Sequence, residues 1–249
     1  KGDYVIDLGS GDGRIVIAAA RQFRARGLGI ELDRGLVEKS RENARQAGVA
    51  ERVAFIQGDV LAADLSQATV VTVYLLPGLI NQLQPRFLQQ LRPGTRIVSH
   101  AFAMTSWLPD RSETLRISRP HPGQGDQSTL HLWVVPAGVR GVWRGAGSEL
   151  TIYQNFQQVE VEGRLARQAQ EAPRAALRGR PQATFASKVE LEGGPGGQAL
   201  QAPRAALRGR EIAVEDGAAR FRGRLQGEQI AGELILAERR LPVVLTRAR

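Results

Sequence analysis

The chain has 249 residues and a mass of 27.1 kDa, with 42% hydrophobic and 24% charged residues; this suits one large or two small globular domains and excludes a wholly disordered or collagen-like chain. No apolar stretch reaches the roughly 18 residues of a spanning helix, because the longest, Val70 to Ile80, contains Thr72, Pro77 and Gly78, and the absence of cysteine excludes disulfides, thiolate metal sites and a thiol nucleophile. The net charge of +9 comes from 31 Arg against 3 Lys scattered along the chain, which permits anionic partners but lacks the basic run of a nucleic-acid interface.

Residue 1 is Lys, three residues before an apolar strand, which reads as a trimmed chain whose N-terminal segment, with any targeting information, is missing. The compartment is left undecided, with the cytoplasm as the default. Tyr4 to Leu8 is a short apolar run, and Arg14 to Phe23 then repeats apolar residues at helical spacing. The pattern recurs with Gly27 to Glu31 as strand, Gly35 to Ala47 as helix, Val53 to Ile56 and Thr69 to Tyr74 as strands, Leu79 to Leu91 as helix and Thr95 to Ser99 as strand. Strands alternating with helices predict an α/β domain with a parallel sheet covered on both faces. After Pro109 the helices stop, and Thr114 to Ser118 and Thr129 to Val135 read as two further strands joined by a polar loop, HPGQGDQS.

Beyond residue 137 the period changes to two, with strands expected at Glu149 to Tyr153, Val159 to Leu165, Lys188 to Leu191, Ala219 to Leu225, Gln229 to Leu236 and Leu241 to Thr246. Residues 138–249 are therefore expected to be a small all-β domain, a barrel or sandwich. The segment APRAALRGR occurs there twice, at Ala172 to Arg180 and Ala202 to Arg210, which reads as a recent duplication because two copies are too few for a solenoid. The glycine-rich EGGPGGQA between the copies reads as a loop.

The most informative segment is the VIDLGSGDGR of Val5 to Arg14. Glycines at 9, 11 and 13 between a strand and a helix allow a sharp turn, close backbone approach of a ligand, and helix amides aimed at it. The position where a dinucleotide fold wants its third glycine holds Arg14, which disfavours a nicotinamide-dependent oxidoreductase. Glu31 ends the next strand, placed to accept ribose hydroxyls. Asp59, in Gln57-Gly58-Asp59-Val60, follows the third strand, placed to accept from a base amine. All three motifs fall at carboxyl ends of neighbouring strands, where open α/β sheets bind ligands. Asp12 reads as a loop acid rather than a ligand.

At these residues the sequence resembles the class I S-adenosylmethionine-dependent methyltransferases, over roughly residues 1–136: DLGSGDGR, GIELD and QGDV look like their cofactor motifs in order and spacing. The resemblance implies a Rossmann-like sheet with a C-terminal antiparallel edge. It places Gly9, Ser10, Gly11 and Gly13 around the methionine part of S-adenosylmethionine, Asp7 near its amino group, Glu31 on the ribose, and Asp59 with Val60 on the adenine. More narrowly, YLLP at Tyr74 to Pro77, PGTRIVSHAF, and W-x-P-D at Trp107 to Asp110 look like a subgroup that includes protein-lysine methyltransferases and bacterial relatives. Members of that subgroup usually carry an N-terminal segment that helps to close the cofactor site.

On the acceptor side, Tyr74 and Pro77 follow the fourth strand and His100 ends the fifth, so these three are the candidate catalytic residues. The leading acceptor is a protein lysine amine, with a small molecule as the alternative and nucleic acid disfavoured. A non-catalytic module whose β domain recruits a partner is the reading from a different class. His121 and His131 lack acidic neighbours at metal-ligand spacing, so no metal is assigned. Trp107, Trp133 and Trp143 read as packing residues.

Overall fold

A computed structural model describes residues 2–117, 125–145, 147–165, 183–185, 204–216, 219–236 and 239–248. The chain divides into two compact units, Lys1–Val135 and Pro136–Arg249. In the first, β1 (Tyr4–Leu8), α1 (Arg14–Phe23), β2 (Arg26–Glu31), α2 (Arg34–Gln46), β3 (Val53–Gln57), β4 (Val70–Val73), α3 (Pro77–Gln90), β5 (Arg96–His100), β6 (Arg111–Arg116) and β7 (Gln127–Val134) follow one another. A single 3-10 turn, Val60–Ala62, sits between β3 and β4.

The sheet order is β3-β2-β1-β4-β5-β7-β6. β1 to β5 are mutually parallel, whereas β7 enters antiparallel against β5 and pairs with β6. The chain leaves β1 toward β2 and β3, then returns to lay β4 against the other side of β1, which makes the β1–β4 boundary the switch point of the sheet. Apolar residues at helical spacing bury one stripe of α1 (Val16, Ile17, Ala20) and of α2 (Val37, Ala44) on β3 residues Val53 and Phe55. Trp107 and Trp133 are fully buried in this unit, the indole N–H of Trp133 donating to the Trp107 carbonyl at 2.8 Å. Asp110 of the W-x-P-D segment accepts from the Val134 amide at 2.7 Å, so its part is to fix the edge of β7.

Several boundaries differ from expectation. The strand expected to include Tyr74 ends at Val73, and the following helix starts at Pro77, whose fixed φ suits the first helical position. Asp33 caps α2 by accepting from the Leu36 amide at 2.8 Å, which sets that helix one residue earlier than the pattern suggests. The expected strand end at Ser118, the strand Lys188 to Leu191, the first APRAALRGR copy, the EGGPGGQA loop and His121 lie outside the described residues.

The second unit contains β8 (Gly141–Gly145), β9 (Ser148–Asn155), β10 (Gln158–Leu165), β11 (Ala183–Phe185), β12 (Arg204–Arg208), β13 (Glu211–Asp216), β14 (Ala219–Gln226), β15 (Gln229–Leu236) and β16 (Arg239–Arg247). Their order is β11-β10-β12-β13-β14-β15-β16-β8-β9, and β9 also pairs with β10, so the antiparallel sheet curls into a near-closed barrel. Trp143, Leu150, Ile152, Phe221, Leu234 and Leu245 fill its interior. The strands β8, β11, β12 and β13 are not among those expected from periodicity. The second repeat copy supplies β12, which turns at Gly209 into β13.

Arg247 ties the end of β16 to the start of the unit. Its guanidinium donates to the carbonyls of Gly138 (2.6 Å) and Arg140 (2.7 Å), lies 4.6 Å from the centroid of the Trp143 ring, and approaches Glu228 at 2.7 Å. Replacing Arg247 with Ala is expected to cost about 2 kcal/mol of stability, because two charge-assisted bonds to carbonyls are lost together. Arg247→Lys, which keeps the charge without the planar fork, should recover less than half of that in urea titration of the full chain followed by tryptophan fluorescence.

Candidate active site

The residues singled out from the sequence converge on the carboxyl ends of β1 to β5. Gly9, Gly11 and Gly13 have φ of 76°, 54° and 81°, but the space around them differs. At Gly11 nothing lies within 4 Å of where a Cβ would stand, so the loop is open there. At Gly13, the N-cap of α1, a Cβ would meet the Phe55 ring at 2.7 Å and the Ser40 Cβ at 2.8 Å. The absence of a side chain at Gly13 therefore serves the packing of the loop on α2 and β3. A Cβ at Gly9 would touch Leu75 Cδ2 at 2.8 Å, which brings the YLLP segment onto the glycine loop. Ser10 is buried, its hydroxyl without a hydrogen-bond partner, and both Gly9 and Ser10 amides donate to the Ile30 carbonyl at 2.9 and 3.0 Å.

Glu31 joins the neighbouring loops. Its Oε2 accepts from the Gly11 amide at 2.9 Å, its Oε1 accepts from Leu32 (2.8 Å) and Asp33 (3.1 Å), and its carbonyl accepts from Gly58 at 2.9 Å. A carboxylate offers about four acceptor positions, so the three amides leave room for one further donor. The sequence places this carboxylate for ribose hydroxyls, and an acceptor position for such a donor remains. Asp59 is exposed and accepts from the Leu61 amide at 2.9 Å, capping the 3-10 turn that begins at half-buried Val60. Asp12 is held by Arg14 through two 2.8 Å bonds, and its carbonyl accepts from Asn43. That pairing keeps its carboxyl below the usual range and leaves it structural.

Asp7 is 2% exposed and accepts from the Thr72 hydroxyl at 2.6 Å across the β1–β4 boundary. Burial raises its pKa to about 6, against the lowering effect of the Thr72 bond and with a further push from the charge of Glu31. Thr72 is not among the sequence candidates, although its signal is legible: it is the polar residue in an apolar strand.

On the other side of β4, Tyr74 is 43% exposed and its ring lies 4.2 Å from that of His100, centroid to centroid, at 51°. Leu76 and Pro77 are exposed at the start of α3. Pro77 is not drawn into the Tyr74–His100 pair; its carbonyl accepts from Asn81, whose side chain also bonds Thr105. His100 Nε2 is hydrogen-bonded to the hydroxyl of Ser128, a β7 residue that nothing in the polar loop of the sequence distinguishes. His131 lies instead against Ser112, 2.8 Å away.

The family model described as the ANTKMT methyltransferase domain matches residues 7–111. A protein-lysine N-methyltransferase of Saccharolobus islandicus is 40% identical over 134 residues, which cover 53% of this chain and 80% of that protein. The chain belongs to the class I S-adenosylmethionine-dependent methyltransferases. It is also 35% identical over 105 residues to an adenine nucleotide translocase lysine N-methyltransferase of Mus musculus, spanning 42% of this chain and less than half of that relative, 46%. A crystal structure of an RNA methyltransferase from Salinibacter ruber in complex with S-adenosyl-L-homocysteine shares 50% identity over 55% of this chain and 83% of that one, with a TM-score of 0.48.

S-adenosylmethionine is the cofactor that defines this family, and the residues present fit it. A buried carboxylate, Asp7, suits an ammonium group; the space over Gly11 admits a ligand against the backbone; the remaining acceptor position of Glu31 suits a hydroxyl. The two glycines differ in a measurable way. Gly11→Ala should cost only about 1 kcal/mol, the strain of a left-handed alanine, yet weaken S-adenosylhomocysteine binding by blocking the open space. Gly13→Ala should cost clearly more stability, because its Cβ meets packed atoms, as thermal melts of both variants would show.

Asp7 carries a second expectation, for the protein without cofactor. Its folded pKa of about 6 lies above the ordinary aspartate value of 3.8, so the folded state binds the extra proton between those values and stability falls as pH rises through that window. Ionising it at neutral pH costs about 3 kcal/mol. Asp7→Asn should therefore raise the melting temperature at pH 7, leave it nearly unchanged at pH 4, and abolish cofactor binding.

Proposed function

We propose that this chain transfers a methyl group from S-adenosylmethionine to a lysine amine of a protein. The carrying observation is the buried Asp7 carboxylate at the switch point of the sheet, with the open glycine loop on one side and the Tyr74–His100 pair on the other. The lysine acceptor is supported by the relatives, whose names are those of protein-lysine methyltransferases.

In this reading Asp7 binds the ammonium of the cofactor, Glu31 one ribose hydroxyl, Gly9 to Gly13 border the methionine part, with Gly13 acting through packing, and Asp59 with Val60 flanks the adenine. The bound cofactor supplies an electrophilic methyl on a sulfonium whose leaving group departs as a neutral thioether, so positioning supplies much of the rate. Tyr74 and His100 form the wall along which a lysine approaches, its methylenes against the rings and its nitrogen toward the cofactor. A partly desolvated channel favours the neutral amine needed for attack. The proton released from nitrogen passes to solvent or to a group at that wall. Residues 138–249 are proposed as a separate accessory domain that recruits or presents the acceptor.

Asp7 must be ionised to hold an ammonium. Affinity for S-adenosylhomocysteine should rise with pH up to about 6, by up to tenfold per unit below it, and then level off. Calorimetric titration from pH 5 to 8 measures this, with Glu31→Ala expected to weaken binding at every pH. Labelled methyl groups incubated with a cell extract should appear on lysine residues of a protein by mass spectrometry. Binding without transfer would favour the recruiting module; no binding would sink the proposed transfer.

A further inference from the structure

We propose that Ser128 is a positioning residue for the acceptor wall, fixing the ring of His100 against Tyr74. This rests on the lysine-methyltransferase reading of the site. In a parallel sheet only carboxyl ends of strands reach the ligand edge, but β7 runs antiparallel to β5, so its first residues lie beside the last of β5. The register pairs His100 with Leu130, and Ser128, two residues earlier, projects from the same face as the diagonal neighbour of His100. Its hydroxyl is hydrogen-bonded to His100 Nε2 and is itself buried.

The backbone supports the same point. Ala101, immediately after His100, has φ of 68°, a left-handed conformation that alanine adopts only at a cost. It is held there because its amide donates to the Thr129 carbonyl at 2.7 Å and the Phe102 amide donates to the His100 carbonyl at 2.9 Å, while the Ser99 hydroxyl donates to the Phe102 carbonyl at 2.6 Å. The start of β7 thus grips the end of β5 through backbone pairing, the Thr129 carbonyl and the Ser128 hydroxyl. The imidazole turns about two rotatable bonds, and the Ser128 hydroxyl restrains that rotation. With Nε2 engaged by a hydroxyl that can donate or accept, the bond fixes where the ring lies, beside Tyr74 at 4.2 Å.

Ser128→Ala removes one oxygen from a buried strand position, and Ser128→Thr keeps the hydroxyl on a residue that strands favour. Ser112→Ala is the control, since Ser112 bonds His131 on the same hairpin and takes no part in the wall. Nitrogen-15 imidazole spectra of the full chain should show the His100 Nε2 signal shifted in Ser128→Ala, restored in Ser128→Thr and unaffected in Ser112→Ala. Methyl transfer to extract proteins at saturating cofactor should fall about tenfold in Ser128→Ala, with partial rescue by Thr and unchanged affinity for S-adenosylhomocysteine. Unaltered His100 nitrogen signals in a folded Ser128→Ala, or an unaltered transfer rate, overturn the proposal. Loss of S-adenosylhomocysteine binding in the unmutated chain overturns the underlying reading instead, so the two failures are distinguishable.

Discussion

The site depends on one carboxylate that has little freedom left. Glu31 accepts from the amides of Gly11, Leu32 and Asp33, and its carbonyl accepts from Gly58, so a single residue fastens the loops after β1, β2 and β3 to one another. Ionised carboxylates bonded to amides make stronger contacts than neutral acceptors. The glycine loop keeps its left-handed turns, and the segment leading to Asp59 its direction, because both are anchored to the end of β2. A second tie, from Thr72 to Asp7, binds β4 to β1. Together the two acids order four strand ends before any ligand arrives, the preorganisation that binding otherwise has to supply.

This order has an energetic consequence. Two carboxylates stand close enough for Glu31 to push the Asp7 pKa upward, in a place where burial already disfavours charge. A sheet selected only for stability would put an apolar residue or an amide at position 7. Among the described residues no cation pairs with the Asp7 carboxylate, and a cationic group is the chemistry it is suited to bind.

The alternation of strand and helix over residues 4–100 is legible in the sequence because each element is long enough to show its period and is punctuated by Gly, Asp or Pro. The positions of Asp7, Glu31 and Asp59 follow from their places at or just beyond the carboxyl ends of strands. What is not legible is how neighbours use the remaining valences. Gly13 looks like a ligand glycine until Phe55 and Ser40, distant in sequence, occupy the space beside it. The capacity of Glu31 is set by amides whose direction depends on the turn. Ser128 gives no local signal, because its role depends on the antiparallel entry of β7. In the second unit β8 and β11 are short, and β12 lies in the Arg-rich repeat, where RAALR alternates weakly and its pairing with β10 and β13 makes it a strand; β13 does alternate, with Ile212 and Val214 buried, and its signal is legible.

The antiparallel entry of β7 also bears on the order in which the molecule can become competent. Every group proposed for the cofactor lies between Asp7 and Val60, on strands joined by short local crossovers, whereas the ring of His100 is set by a serine 28 residues further along. The serine–histidine contact closes 28 residues, against the 65 closed by the Asp7–Thr72 tie, so loop entropy does not delay the wall; chain order does. During synthesis Thr72 emerges before Ser128, so the groups proposed for the cofactor are all present before the residue that sets the acceptor ring. The groups proposed for binding and for transfer are thus separated along the sequence, and the hairpin of β6 and β7 adjoins the second set.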